Sequence, residues 1–487
     1  MKLITFLFLV TIFFSPAFSK TAEEWKSRSI YQIITDRFAR TNGDATVCSD
    51  LGNYCGGTFK GIQNNLDYIQ GMGFDAIWIS PVVANTAGGY HGYWVSNLYE
   101  INENFGTPEE LKELIDACHE KDIWVMVDVV ANHIGYVDNF DYSSIIPFND
   151  PAYFNEYIDC TPFFETMDQP KIETCWLSGL PDLDQNHPFV KSTLLEWVRE
   201  FVQTYKFDAL RIDTIAHVSK KFWEEFSKAA GVYTIGEALN FDTKYIAGYQ
   251  GPLDAVLNYA LYSTLRYAFM NSGTMTSIRN YYEGAYSIFP DITVLGNFVN
   301  NHDNPRFLHG NENVQPFKAA LAFSIASVGI PMVYYGDEQA YNGGQDPANR
   351  EVLWTNMKRD SDIYNYLKIL NQFRKDSGFY KLEQIEREVD DNFYGFTRGD
   401  TFFAFTNSLE PQTKVVTDHP YAEGTEVCNV LNKEDCVKVS SGKLVMFLND
   451  GEVKIYTPRK VEEKSKESTF NAESLKVLLS TSSQVSY

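Results

Sequence analysis

The chain contains two short β-prone runs, ALRIDT at residues 209–214 and TIGEA at residues 234–238. Each run places one carboxylate at its carboxyl end, Asp213 in the first and Glu237 in the second. Short apolar runs of this kind are typical of buried parallel strands. The position of the two acids therefore depends on what connects the strands.

A helical segment separates the two runs. It covers residues 219–230, with Ser219 as a suitable N-cap and Gly231 just past its end. A strand, a helix and a second strand in this order form a β-α-β unit with parallel strands. Asp213 and Glu237 are therefore predicted at the same edge of a sheet, where they could be an acid and a nucleophile or buried structural charges.

Six further apolar runs alternate with helical segments. With the two runs above as the fourth and fifth strands, the others are predicted at 29–36, 76–80, 123–130, 253–258, 294–299 and 330–335. Eight such strands predict a (β/α)8 TIM barrel of the α/β class, whose active site lies at the carboxyl ends of its strands. A doubly wound open sheet is the structural alternative, but no Gly-rich phosphate fingerprint opens a helix here.

The alternation of apolar runs and helical segments is interrupted or lost at several points, and these points predict the domain boundaries. The barrel is expected over residues 20–380, interrupted by a small inserted domain at 134–184, where βα alternation is lost. Alternating strands predict an antiparallel β-sandwich domain at 381–460. Residues 461–487 are rich in Lys, Glu and Ser, and we expect a disordered tail.

Residues 1–19 have the features of a secretory signal peptide. Lys2 precedes an apolar run at 3–14, and Ala17-Phe18-Ser19 offers a small-x-small cleavage site. The run is too short to span a bilayer. We therefore expect an extracellular protein that is not attached to a membrane.

Composition narrows the range of partners. The formal net charge of −23 argues against nucleic acid, whose phosphates need Lys and Arg. The aromatic content of 15% is high, and surplus Trp and Tyr provide flat surfaces for ligands such as sugar rings. We expect a monomer.

The seven cysteines fit an oxidising compartment. Pairing near neighbours predicts three disulfides, Cys48–Cys55, Cys160–Cys175 and Cys428–Cys436. Cys118 remains, and its position on an apolar helical stripe favours a buried free thiol.

A third acid, Asp303, ends the run VNNHD at residues 299–303. Glycoside hydrolysis needs a carboxylate nucleophile and a carboxylic acid, and it gains from further contacts to sugar hydroxyls. A cap or a salt bridge would explain any single Asp. Three acids at the carboxyl end of one barrel, with Arg211 and His302 beside them in the sequence, favour glycoside hydrolysis over a structural role.

Four motifs resemble the signature regions of the α-amylase family of glycoside hydrolases. They are DVVANH at 128–133, LRID at 210–213, GEA at 236–238 and VNNHD at 299–303. Three more segments are similar to secreted fungal-type α-amylases, namely YHGYW at 90–94, LPDLD at 180–184 and DPANR at 346–350. The resemblance runs from about Trp25 to Trp354, and less distinctly to Pro458.

The resemblance implies Asp213 as nucleophile, Glu237 as general acid/base and Asp303 as the residue that grips sugar hydroxyls at the cleavage subsite. Arg211 would keep Asp213 ionised by its charge. The implied activity is endo-acting, retaining hydrolysis of internal α-1,4-glucosidic bonds in starch, glycogen and maltooligosaccharides. The alternatives are an exo-acting α-glucosidase, a transglycosylase of the same family, or a non-catalytic carbohydrate-binding relative.

The same resemblance implies a set of substrate contacts. Tyr93 is placed to stack on a glucose ring, whereas Trp94 could equally be a core residue. Asp346 and Arg350 resemble outer subsite contacts, although a surface salt bridge would explain them as well. The sugar-binding histidines would be His91, His133 and His302.

A calcium site is also implied by the resemblance. Its ligands would be Asn132, Glu173, Asp182 and the backbone carbonyl of His217. Calcium accepts oxygen donors of mixed type. The ion would tie the inserted segment to the barrel next to the cleft, although Glu173 and Asp182 could also be solvated loop acids.

One position departs from the fungal-type pattern. The residue before His217 is usually Lys in that group, and there it contacts sugars on the leaving-group side, but here it is Ala216. We therefore expect weaker binding of short substrates on that side.

Overall fold

The computed structural model describes residues 20–270, 273–311 and 313–459, so the signal-peptide and tail predictions lie outside the described residues. The first ten strands are β1 Ile30–Ile33, β2 Ala76–Ile79, β3 Val83–Asn85, β4 Val95–Ile101, β5 Trp124–Val129, β6 Ala209–Ile212, β7 Tyr233–Gly236, β8 Ala255–Val256, β9 Gly296–Asn297 and β10 Ile330–Tyr334.

Eight of these strands form one parallel sheet in the order β8-β7-β6-β5-β2-β1-β10-β9. A parallel bridge between Leu257 and Gly296 joins the two end strands and closes the sheet. The predicted (β/α)8 barrel is therefore confirmed, and the open sheet is not observed. The two strands next to this bridge contain only two residues each, so the predicted runs at 253–258 and 294–299 are mostly irregular chain.

Fourteen α-helices are present in the described residues: α1 Ala22–Trp25, α2 Thr35–Phe38, α3 Phe59–Asn64, α4 Leu66–Gly71, α5 Pro108–Glu120, α6 Thr161–Thr166, α7 Gln169–Ile172, α8 Pro188–Tyr205, α9 Lys220–Ala230, α10 Thr243–Ala247, α11 Tyr259–Met270, α12 Thr276–Ile288, α13 Val314–Ala326 and α14 Asp362–Ser377.

Helix α9 has the predicted caps. The Ser219 side chain accepts a hydrogen bond from the Phe222 N–H, and Gly231 adopts a left-handed conformation with φ 66°. A glycine tolerates this conformation without a steric penalty, which ends the helix and returns the chain to β7. The carboxyl ends of β6 and β7 are thereby fixed side by side.

The barrel has two apolar layers. Its interior is filled by residues such as Ile30, Trp78, Met126 and Ile235, which are almost fully buried. The layer between strands and helices includes Leu114 on α5 and Trp223 on α9. Continuous burial on both faces explains why the barrel strands have apolar runs without alternation.

The chain between β5 and α8 contains the inserted segment. It carries α6 and α7. A bridge between His133 and Asp182 joins it to the chain that follows β5, and a bridge between Phe154 and Leu183 lies within it. An antiparallel hairpin of β3 and β4, which the sequence analysis did not predict, precedes it. The loop of this hairpin, residues 86–94, carries the YHGYW motif.

The C-terminal region is antiparallel. Its strands are β11 Gln384–Val389, β12 Phe393–Arg398, β13 Thr401–Thr406, β14 Gln412–Val416, β15 Glu426–Asn429, β16 Asn432–Lys438, β17 Leu444–Leu448 and β18 Val453–Pro458. Six form one sheet, in the order β11-β12-β13-β18-β15-β16, and β14 pairs with β17. Side chains of both sheets share one apolar core.

Three disulfides join the pairs expected from the sequence, and Cys118 is a buried free cysteine. The described residues include no helix long and apolar enough to cross a membrane.

Candidate active site

Asp213 and Glu237 directly follow β6 and β7, and Asp303 lies in the loop after β9. All three are at the carboxyl end of the barrel, which confirms the geometric expectation that neighbouring parallel strands end at one edge. Asp213 is 7% exposed and Glu237 6% exposed. Asp303 is the most accessible, with 31% of its side chain exposed.

Arg211 connects the acids. Its Nη1 lies 2.8 Å from Asp213 Oδ1 and 2.9 Å from Asp128 Oδ1, and its Nη2 lies 3.4 Å from Glu237 Oε2. The guanidinium is almost completely buried. A buried cation shared among three carboxylates offsets their repulsion and fixes their relative positions.

Thr214 bridges Asp213 and Glu237 a second time. Its hydroxyl donates to Asp213 Oδ2 at 2.9 Å, and its backbone N–H donates to Glu237 Oε2 at 3.1 Å. Thr214 adopts φ 46° and ψ 42°, a left-handed conformation that is unfavourable for a β-branched residue. Backbone strain of this kind is concentrated at functional sites.

The environment of Glu237 favours its protonated form. Burial raises the pKa of Glu237 to about 8, and the charges of Asp213 and Asp303 act in the same direction, while Arg211 opposes them. The Tyr259 hydroxyl lies 3.3 Å from Glu237 Oε1. A carboxyl group that holds its proton near neutral pH can act as a general acid.

Asp303 has its own basic neighbours. Arg350 Nη2 lies 3.7 Å from Asp303 Oδ1, and Arg350 Nη1 lies 3.1 Å from Asp346 Oδ1. The Tyr90 hydroxyl contacts both Asp346 and Arg350 at 3.1 Å. The predicted pair of Asp346 and Arg350 is therefore connected to the acid cluster and is not an isolated surface salt bridge.

Three rings line the cleft beside the acids. The Tyr93 ring is nearly parallel to the His302 ring, with centroids 5.3 Å apart, and the centroid of the His91 ring lies 5.6 Å from that of Tyr93. The Tyr93 hydroxyl donates to Asp128 Oδ2 at 2.8 Å and lies 2.7 Å from His302 Nε2. Burial lowers the pKa of His302 and of His91 well below its ordinary value, so both are neutral hydrogen-bonding groups.

The two remaining predicted contacts lie beside these rings. Trp94 packs edge-on against His91 at 4.7 Å, and it is half-buried. His133 is buried, and its Nε2 has no hydrogen-bond partner among the residues that the structure describes. An unpartnered buried nitrogen is available to a ligand in the cleft.

Asp182 fits a cation site. It is 1% exposed, it forms no ion pair with a cationic side chain of the described residues, and burial raises its pKa well above the ordinary value. One terminal atom of the Asn132 amide lies 3.2 Å from Asp182 Oδ1 and 3.2 Å from the carbonyl oxygen of His217. With its nitrogen at this point the amide donates to both oxygens, and with its oxygen there the three oxygens form a donor set that calcium accepts.

Glu173 has a different neighbour, since its Oε1 accepts a hydrogen bond from Gln169 Nε2 at 2.9 Å. The Gln169 amide also donates to the carbonyl of Ala216 at 2.9 Å. Cys160, Cys175 and His217 lie close together, but the two cysteines form a disulfide and offer no thiolate.

Sequence reasoning did not assign roles to Asp128, Thr214 and Tyr259. Asp128 belongs to the DVVANH motif, and burial raises its pKa to about 7 in spite of Arg211. It is 1% exposed and also accepts from Trp78 Nε1 at 3.1 Å. Its motif could have indicated a function, whereas nothing in the sequence near Tyr259 indicates that it reaches Glu237.

A sequence model of the α-amylase catalytic domain matches residues 32–404. The chain belongs to the α-amylase family. It is a glycoside hydrolase, and the resemblance seen in the motifs is confirmed across most of the chain.

Curated relatives extend this match. α-Amylase 1 of Schwanniomyces occidentalis is 39% identical over 472 residues, which cover 91% of each chain. α-Amylase of Saccharomycopsis fibuligera is 39% identical over 464 residues, covering 90% of this chain and 93% of the relative. Among solved structures, an α-amylase from Malbranchea cinnamomea superposes with a TM-score of 0.86 at 37% identity, over 90% of this chain and 97% of its own.

Proposed function

We propose that Asp213, Glu237 and Asp303 carry out the retaining hydrolysis of internal α-1,4-glucosidic bonds. The enzyme is an endo-acting α-amylase whose substrates are starch, glycogen and maltooligosaccharides. The observation that supports these roles best is the double bridge between Asp213 and Glu237 through Arg211 and Thr214.

In the first step Asp213 attacks the anomeric carbon while Glu237 protonates the glycosidic oxygen of the leaving group. The two groups are suited to these roles because their surroundings differ. Arg211 and Thr214 hold the Asp213 oxygens in fixed positions at 2.8 and 2.9 Å, and burial keeps the Glu237 proton in place. The products are a glycosyl ester on Asp213 and a departing oligosaccharide, whose new 4-hydroxyl group carries the proton from Glu237.

In the second step a water molecule enters beside Glu237, which has lost its proton and now acts as a base. It takes a proton from water as the oxygen attacks the same anomeric carbon from the opposite face to Asp213. Two inversions give net retention of configuration, as in other enzymes with a carboxylate nucleophile. Asp213 is released as a carboxylate beside Arg211.

Substrate positioning falls to the groups around the acids. Asp303 binds sugar hydroxyls at the cleavage point, with Arg350 and His302 within 3.7 Å of its Oδ1. Tyr93 offers a ring face for stacking, and the neutral His91, His133 and His302 offer hydrogen bonds to hydroxyls. Contacts that strengthen when the ring distorts lower the activation barrier.

Calcium would be held by Asn132, Asp182 and the His217 carbonyl, with Glu173 as a further candidate. When bound, the ion supplies positive charge that offsets the buried Asp182 carboxylate. His217 follows Asp213 on the same loop, so the ion would fix that loop against the inserted segment. We also propose that the enzyme acts outside the cell, since signal-peptide features and three disulfides agree.

The test is a timed product analysis on soluble starch for the unaltered enzyme, Asp213→Asn and Glu237→Gln. We expect mixed oligosaccharides from the unaltered enzyme and a loss of activity of at least about 10³-fold in each variant. Glucose as the sole early product would indicate an exo-acting enzyme. Near-normal hydrolysis by Glu237→Gln would refute the assigned roles.

A further inference from the structure

Four aromatic side chains of the inserted segment are exposed, Phe164 at 41% and three others that are more exposed. Tyr136 is 46% exposed, Phe140 59% and Tyr157 58%. We call these three residues the aromatic surface. Exposed aromatic rings that are grouped together indicate a binding surface more often than a single exposed ring does.

Two rings of this surface are held in place by a buried neighbour. Phe140 packs edge-on against Trp176 with centroids 5.8 Å apart, and Tyr157 does so at 5.2 Å. Trp176 itself is 4% exposed and donates to the carbonyl of Asn155. The centroids of the Phe140 and Tyr157 rings are 6.5 Å apart, and Trp176 packs against both rings and holds them as a pair.

The backbone that presents Phe140 is strained. Phe140 has φ 58° and Asn139 has φ 50°, so two consecutive non-glycine residues adopt a left-handed conformation. A bulky residue rarely adopts this conformation, and Phe140 does not gain burial in return. A contact with a ligand would explain both its conformation and its exposure.

One member of the aromatic surface, Tyr136, contacts a residue of the catalytic cleft. Tyr136 lies three residues after His133, and its ring packs edge-on against Trp94 at 5.0 Å. Trp94 in turn contacts His91 at 4.7 Å. The Tyr136 hydroxyl donates to the carbonyl of Ser178, close to Trp176 in the chain. A chain of ring contacts thus leads from the cleft to Tyr136, and the hydrogen bond to Ser178 ties Tyr136 to the stretch of chain that contains Trp176.

Charge restricts the ligand. Residues 134–170 contain no Lys or Arg, and the acids near the rings are exposed, namely Asp138, Asp141, Glu156 and Asp159. An anionic polymer or an anionic membrane would be repelled. A neutral ligand with many hydroxyl donors could stack on the rings and donate to these carboxylates.

We propose that the aromatic surface is an accessory binding site for an α-1,4-glucan chain, and that it holds the part of a long substrate that leaves the cleft over the inserted segment. This inference rests on the proposed function, because the same substrate must reach the acids.

The experiment compares the unaltered enzyme with the double variant Phe140→Leu/Tyr157→Leu. Leucine keeps an apolar cover over Trp176 but removes the flat rings, and the Tm of each protein reports whether the fold is kept. Phe447→Ala is the control, because Phe447 is similarly exposed, at 52%, but lies on β17 of the C-terminal region. The readout is kcat/KM on long amylose divided by kcat/KM on a chromogenic maltotrioside.

We expect this ratio to fall about tenfold in the double variant, equivalent to about 1.4 kcal/mol, and to stay unchanged in Phe447→Ala. Binding to glycogen in a native gel should weaken in parallel when the double variant is combined with Glu237→Gln. An unchanged ratio and unchanged glycogen binding, in an unaltered enzyme that cleaves amylose, would overturn the accessory site alone. Failure of the unaltered enzyme to cleave amylose would instead overturn the proposed function.

Discussion

At the scale of single residues, Thr214 joins the two central acids while its own backbone is strained. The strain at φ 46° is tolerated because neighbouring contacts fix the loop, among them the bond from the Ile215 N–H to the Glu237 carbonyl at 3.0 Å. The Thr214 hydroxyl is thereby aimed at Asp213. The role of Thr214 was not predicted from the sequence, because it depends on a left-handed backbone conformation that the surrounding motif does not indicate.

Replacing Thr214 tests its hydroxyl. Thr214→Val keeps the branched shape but removes the donor to Asp213, and we expect kcat on starch to fall about tenfold or more, because a hydrogen bond to a charged group contributes about 1.5–3 kcal/mol. Thr214→Ser keeps the hydroxyl and should retain most of kcat. Equal rates for the Val and Ser variants would show that the hydroxyl does not support catalysis.

Ala216 gives a second prediction at this scale. Ala216→Lys should raise kcat/KM on short maltooligosaccharides about fivefold, since one added hydrogen bond contributes about 1 kcal/mol. Ala216→Met adds similar bulk without charge and serves as the control. If the Lys variant matches the unaltered enzyme on short substrates, the expected weakness on the leaving-group side is wrong.

Glu237 also affects stability in a pH-dependent way. Its pKa rises on folding from the ordinary 4.5 to about 8, so the unfolded chain ionises first as the pH increases. The folded protein therefore loses stability relative to the unfolded chain between about pH 4.5 and pH 8. Glu237→Gln cannot ionise, and its advantage in free energy of unfolding should grow over this window.

Urea unfolding at several pH values measures this difference. We expect the advantage of Glu237→Gln to increase from pH 4.5 to pH 8 by on the order of 4 kcal/mol. A constant difference over the window would show that burial does not raise the pKa of Glu237 in the folded enzyme.

At the scale of secondary-structure elements, the strand–helix units were more predictable than the segments between them. Strands such as Ala76–Ile79 and helix α9 have local signals, an apolar run or paired caps, that do not depend on distant contacts. The β3–β4 hairpin was missed because its register shifts twice and hides the alternation that marks a hairpin.

The inserted segment was recognised because the alternation of strands and helices is lost there. This criterion gives its bounds but does not predict its internal contacts. The meeting of Asn132, Asp182 and the His217 carbonyl joins three distant stretches of chain. Only the family resemblance connected them in the sequence. The network of Tyr90, Asp346 and Arg350 is similar, because its contacts span more than 250 residues.

Removal of calcium tests whether an ion binds where Asn132, Asp182 and the His217 carbonyl meet. A chelator should lower the Tm by about 5 °C, because a ligand present at about 100 times its Kd stabilises the folded state by about 2.7 kcal/mol. Asp182→Asn should reduce this sensitivity, whereas Glu165→Gln, an exposed acid on α6, should keep it. Full chelator sensitivity in Asp182→Asn would place the ion elsewhere.

At the scale of the whole molecule, the barrel and the C-terminal sheets form a continuous support for the cleft. Arg398 donates to the carbonyls of Ala326, Ser327, Tyr380 and Leu382. Phe323 on α13 packs against Phe405 of the C-terminal sheet at 5.0 Å. These contacts fix the chain that precedes β10, which pairs with β1 and with β9.

The central claim is that Asp213 and Glu237 hydrolyse internal bonds by two successive displacements at one carbon. Proton NMR of the reducing ends released from amylose, recorded before mutarotation is complete, tests it most directly. We predict that the first new reducing ends are α-anomers, with β-anomers appearing later by mutarotation. Early release of β-anomers would indicate single displacement by water and would contradict the role given to Asp213.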